Sequence, residues 1–124
     1  MDGKCQTRKA TGNQAEEVAA RYLQSRGITI LERNVFSRGG EIDLIGRDQS
    51  TLVFFEVRFR GANSLSTAAG SITPTKQKRL IRAVSFYLHK HGLWNADCRI
   101  DVVAIAPGES KKYRIQWIKN AIQA

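Results

Sequence analysis

Gly40-Glu41-Ile42-Asp43-Leu44-Ile45 and Leu52-Val53-Phe54-Phe55-Glu56-Val57-Arg58-Phe59-Arg60 are separated by the polar run Gly46-Arg47-Asp48-Gln49-Ser50-Thr51. Two apolar-rich runs joined by such a segment read as the two strands of an antiparallel hairpin. Side chains alternate between the faces of a strand. Glu41 and Asp43 therefore share a face, with Ile42 and Leu44 expected together on the other. In the following strand Phe54, Glu56, Arg58 and Arg60 share one face, and Val53, Phe55, Val57 and Phe59 the opposite one. A turn near Gln49 and Ser50 sets Asp43 opposite Glu56, and cross-strand neighbours stand about 5 Å apart at Cβ.

Two carboxylates held that close repel and need compensation. Arg58 could provide it. A divalent cation could as well, because Mg²⁺ takes a couple of carboxylates together with waters and phosphate oxygens. Such an ion activates water and neutralises charge at a scissile phosphate. An ordinary surface ion pair on a hairpin leaves the same pattern, so spacing alone keeps both readings open.

The surrounding chain supplies the rest of an α/β layout. Ala15, Val18, Ala19, Tyr22 and Leu23 recur at helical spacing, and Gly27 ends that helix. Glu17 points away from the apolar stripe, whereas Glu16 lies at its margin, where a side chain can reach over a sheet edge. Residues Ile28 to Phe36 read as a first strand, followed by the turn Ser37-Arg38-Gly39-Gly40. Gly61 to Ser71, small and polar, reads as a mobile loop. Thr73-Pro74 opens a second helix, with Thr as N-cap and Pro in the first turn. Its core face is Leu80, Ala83, Val84, Tyr87 and Leu88, and Gly92 closes it. Arg99 to Ile105 and Tyr113 to Ile118 are two later strands parted by Pro107-Gly108. The expected organisation is a flexible leader over residues 1–11 and a single domain over residues 12–124.

The 124 residues are enough for one real core, and 42% hydrophobic with 25% charged residues is globular composition. No apolar run approaches the roughly 20 residues of a membrane span, and Met1 to Thr11 lacks the apolar core of a signal peptide. A cytoplasmic location is the default expectation. Cys5 and Cys98 match no CxxC pattern and are expected as unpaired thiols. Twenty Lys and Arg against eleven Asp and Glu give a net charge of +9, which favours a polyanionic partner, most often nucleic acid.

Four of the eleven acids, Glu16, Glu41, Asp43 and Glu56, fall in the first half of this basic chain. On the second helix, Lys76, Lys78, Arg79 and Arg82 are candidate phosphate contacts, with a solvated helix face as the alternative. His89 and His91 have no convergent metal partners in sequence, and helix C-terminal charge accounts for them better. Trp94 and Trp117 could stack on bases, although packing is the commoner role. Asp101, on the same strand face as Arg99, reads as a structural ion pair.

Taken in order, Gly12-x-x-x-Glu16-x-x-Ala19, Tyr22-Leu23, Asn34, the Gly-Glu-Ile-Asp segment, the Phe-Glu-Val-Arg segment, Lys76, Tyr87-Leu88, Arg99-Ile100-Asp101-Val102-Val103 and Ile118-x-Asn120-Ala121 resemble the YraN-like family of bacterial proteins. The resemblance covers nearly the whole chain from Gly12 onward. It implies a PD-(D/E)XK, restriction-endonuclease-like fold with an αβββαβ core, similar to that of Holliday-junction resolvases: a mixed central sheet flanked by helices. By that resemblance Glu16, Asp43 and Glu56 hold Mg²⁺ or Mn²⁺, with Glu41 as a further acidic partner. Asp43, Glu56 and Arg58 are the catalytic set it implies, and Lys76, Lys78, Arg79 and Arg60 are the nucleic-acid contacts expected from the chain's basic charge.

The implied activity is metal-dependent endonucleolytic cleavage of DNA, more than RNA, and of branched DNA among its forms. Resolvases of this fold act as two-fold dimers, so a homodimer is the implied assembly. The family pattern has Lys where this chain has Arg58. Arginine can steady a phosphate but cannot lose its proton at working pH. A non-catalytic nucleic-acid-binding module on the same fold is therefore the alternative, and a protein scaffold is a third reading.

Overall fold

The computed structural model describes residues 3–59 and 72–123, with the backbone alone for residues 3–13 and 111. In chain order the main elements are α1 (Gly3–Ser25), β1 (Thr29–Ser37), β2 (Gly40–Asp48), β3 (Thr51–Phe59), α2 (Pro74–Lys90), β4 (Cys98–Pro107) and β5 (Tyr113–Ile122). A short 3-10 turn, Glu109–Lys111, links the last two strands. The sheet order is β1-β2-β3-β4-β5. β3 and β4 run parallel, and the other neighbouring pairs are antiparallel. A parallel pair needs a crossover, and α2 supplies it. This mixed sheet with its two helices has the expected restriction-endonuclease-like αβββαβ core, extended by β5.

Each sheet face carries one helix. Ala15, Ala19, Ala20 and Leu23 of α1 pack on Leu44, Val53, Phe55, Val103 and Ile105. Leu80, Ala83, Val84 and Tyr87 of α2 pack on Ile42, Ile45, Phe54 and Val102. With both faces covered, β4 is buried from Ile100 to Ala106 without alternation, as a strand interior to such a sandwich must be. Among the described residues no helix is long and apolar enough to cross a membrane.

Two expectations are corrected. α1 begins at Gly3, so the segment read as a flexible leader is helical from that residue on. Gln6, Arg8, Lys9 and Ala10 are good helix formers, and no proline interrupts them. Ile42 and Leu44, expected on one face, lie in opposite core layers. The strand pair changes face at Asp43, opposite Asn34, whose φ of 52° is left-handed. Asn tolerates that conformation better than most residues. Arg60 and the Gly61 to Ser71 loop lie outside the described residues.

Other expectations hold. Thr73 caps α2, its side-chain oxygen accepting from the Lys76 N–H at 3.1 Å, and Pro74 stands in the first turn. The β2–β3 turn falls at Gln49-Ser50, with Gln49 at φ 57°.

Candidate metal centre

β2 and β3 pair from Asp48–Thr51 to Leu44–Phe55. The same register places Asp43 beside Glu56, one step further along. There the Asp43 Oδ2 accepts the backbone N–H of Val57 at 2.8 Å. A side-chain carboxylate thus satisfies a backbone donor beyond the end of the ladder, and Asp43 is fixed in the angle between the two strands.

Glu16 of α1 and Glu41 of β2 meet it there. One carboxylate oxygen from each of Glu16, Glu41 and Asp43 lies within 4.8 Å of the other two. Glu16 accepts a hydrogen bond from Asn34, the residue at the face change of β1. From the margin of the α1 stripe its carboxylate reaches the two strand acids. Like charges about 5 Å apart repel by about 3 kcal/mol per pair at an effective dielectric near 20, less where water screens exposed Glu41. Burial, then the Glu56 carboxylate, pushes the half-buried Asp43 up to about 8, against the Val57 N–H that pulls it down. Glu16 is also raised, chiefly by burial. The protein alone therefore favours a proton on Asp43.

Glu56 is 4% exposed. Its Oε1 lies 2.9 Å from Lys76 Nζ, at the start of α2. The strand pattern had offered Arg58 or a divalent cation as the compensation; Lys76, brought in by the crossover helix, also stands at ion-pair distance from Glu56. Arg58 is half-buried, its backbone paired with Ala104. Glu41, Asp43, Glu56, Lys76 and Arg79 line one cavity of about 440 Å³ with the Gly39-Gly40 turn. The Gly40 backbone packs against α2, where a Cβ would stand in ordinary contact, 3.4 Å from the Arg79 carbonyl oxygen. Lys78 is exposed on α2.

Residues 15–105 match the model of the uncharacterised protein family UPF0102. The chain belongs to this family, the YraN-like one. A UPF0102 protein of Marinobacter nauticus is 65% identical over 113 residues, covering 91% of this chain and 92% of its own. One from Dichelobacter nodosus is 44% identical over 122 residues, covering 98% and 96%. Another from Coxiella burnetii is 44% identical over 113 residues, covering 90% and 91%.

The remaining candidate residues of this UPF0102 chain divide by role. Asp101, fully buried, accepts from Arg99 Nε at 3.1 Å, Trp117 Nε1 at 2.9 Å and the Asn120 N–H at 2.7 Å. It is a structural carboxylate, and Trp117 is one of its donors. Trp94 is exposed and faces the His89 ring at 5.4 Å between centroids. His91 stacks on Tyr87. Lys76 as partner of Glu56 was not legible in the strand pattern. The signal for it was its position just after the Thr73 cap, which fixes where the first turn of α2 lies.

Proposed function

We propose that this chain is a Mg²⁺- or Mn²⁺-dependent phosphodiesterase acting on DNA. The observation that carries the reading is the convergence of Glu16, Glu41 and Asp43 beside the Glu56–Lys76 pair. The donor set is all carboxylate oxygen, which fits a hard divalent cation. The raised Asp43 also fits, since a bound cation would favour its charged form and offset the neighbouring carboxylates. Glu16, Glu41 and Asp43 would hold the ion, and Glu56, paired with Lys76 rather than grouped with these three, lines the cavity beside it. Bound there, the ion would polarise a phosphate oxygen and lower the pKa of a water.

The chain's own residues do the positioning. Val57 N–H holds the Asp43 carboxylate in place. Lys76 steadies Glu56 and places an ammonium group in the cavity. Arg79, on the same wall, can take a phosphate oxygen. Arg58 keeps a fixed charge, so no proton transfer is assigned to it. This residue also supports the second reading, a nucleic-acid-binding module without catalysis.

Labelled linear, flapped and four-way DNA, incubated with Mg²⁺ or Mn²⁺, tests the two readings against an Asp43→Ala/Glu56→Ala control. Cleavage that the control lacks supports hydrolysis. Salt-sensitive binding with every substrate intact supports the module. Neither binding nor cleavage sinks both.

A further inference from the structure

Phe36 is 80% exposed at the end of β1, and its backbone partner across the sheet is Glu41, one of the clustered acids. Ser37 Oγ donates to the Ala83 carbonyl at 2.8 Å, which pins this strand end to α2. Phe36 then shares a hollow with Phe86 and Lys90 of α2. Phe86 and Lys90 line a second, adjoining groove with Arg82 and His89. Trp94, 61% exposed, extends it through its contact with His89. Gly39, at φ 94°, brings the β1–β2 turn within reach of Arg82: a Cβ there would stand 3.0 Å from Arg82 Cδ. Turn and helix thus join the acidic cavity to an open surface of aromatic rings and cations.

Spacing on α2 sets the scale. From Arg79, in the cavity wall, to Phe86 the helix rises about 10 Å at 1.5 Å per residue. That is about three stacked nucleotides at roughly 3.4 Å each.

The charge selects the occupant. Arg82 and Lys90 face this surface, and the neighbouring carboxylate, Glu32, takes the Tyr87 hydroxyl as its hydrogen-bond donor. A second copy across a two-fold axis would set this basic patch against itself. An anionic strand with flat bases satisfies both the cations and the rings.

We infer that Phe36, Phe86 and Trp94, with Arg82 and Lys90, form a stacking platform for unpaired bases leading into the acidic cavity. The substrate class is then DNA with a single-stranded segment, such as a flap or fork, in preference to blunt duplex. This rests on reading the cavity as a phosphodiester site, and the test separates the two.

Fluorescence anisotropy in chelator, with the full chain, compares a labelled oligothymidylate with an abasic backbone of equal length and with blunt duplex. Phe36→Ala/Phe86→Ala should weaken oligothymidylate binding about ten-fold or more, and leave abasic and duplex binding unchanged. Arg82→Ala/Lys90→Ala should weaken all three and flatten the salt dependence. An unchanged melting temperature in both variants confirms folding; Phe36→Leu, which keeps apolar bulk but no ring, reads stacking separately.

Equal losses on all three ligands overturn the platform, as does wild-type protein that binds none of them. So does aromatic-dependent binding to phosphatidylserine vesicles in place of DNA, or a dimer in sedimentation that Phe36→Ala dissolves. If the platform pattern holds and no DNA is cut with Mg²⁺, hydrolysis fails and the platform stands. If DNA is cut and Phe36→Ala/Phe86→Ala binds and cuts like wild type, the platform fails alone.

Discussion

Asp43 Oδ2 accepts the Val57 N–H at 2.8 Å across the gap where β2 and β3 part. The bond couples strand geometry to the acidic cluster, since one carboxylate both replaces a ladder contact and faces Glu16 and Glu41. Asp43→Asn keeps an acceptor for Val57 and removes a charge, whereas Asp43→Ala leaves the donor without it. An orphaned donor costs about 1–3 kcal/mol, and the lower end applies because the site is only half-buried. In metal-free buffer the Asn variant should be at least as stable as wild type, and the Ala variant about 1 kcal/mol less stable than the Asn variant. Urea denaturation measures both; an Ala variant matching the Asn variant would remove the structural role from this bond.

The raised Asp43 also sets a pH dependence. Its folded value, about 8, lies above the ordinary 3.8. The folded state therefore binds this proton more tightly than the unfolded chain does. The contribution to stability is fully present below the ordinary value and is lost as pH rises through about 8. With chelator, wild-type melting temperature should fall relative to Asp43→Asn between pH 5 and pH 9, the window that spans the raised Asp43 value. Mg²⁺ should raise the wild-type melting temperature at the alkaline end and leave the variant little changed, because an ion that binds only the folded state stabilises it. Parallel pH curves for the two proteins would contradict the shift.

Lys76 is the cation on buried Glu56, and its substitution isolates that pair. Removing one partner of a fully buried pair costs about 3–5 kcal/mol. Here the Lys76 side chain is 46% exposed, and water screens the interaction. Lys76→Met should therefore cost about 1–2 kcal/mol. Adding Glu56→Gln should recover most of the loss, since the buried charge is then gone. If cleavage occurs, Lys76→Met should also reduce it at least ten-fold, with Arg58→Lys giving no compensation. A double variant no more stable than Lys76→Met would show that the loss came from packing.

The hairpin and its turn at Gln49-Ser50 were legible because turn chemistry and alternation are local. Glu41 and Asp43 came together for the same reason. The face change at Asp43 was not legible, because it depends on the left-handed Asn34 on the neighbouring strand. Lys76 beside Glu56 depends on how the crossover helix lands on the sheet, which no strand period encodes. Glu16 lay between these cases: the helical wheel put it at the margin, and only the packing of α1 on β1 and β3 brought it within reach of the strand acids.

Asp101 provides the contrast between an acid that holds the fold and acids gathered at a cavity. It is fully buried opposite the irregular stretch of β5 where Asn120 takes φ 53°. Its partners are Arg99, which also reaches Asp48 at 2.9 Å, the Trp117 indole and the Asn120 N–H. Asp101→Ala would strand these donors in the interior and should cost about 3–5 kcal/mol. Asp101→Asn keeps part of the network and should cost less. Neither change should alter Mg²⁺ affinity measured by calorimetry on the folded protein, whereas Glu16→Gln and Asp43→Asn should weaken it at least ten-fold. Loss of Mg²⁺ binding in a folded Asp101→Asn protein would place that carboxylate in the metal site and undo the division.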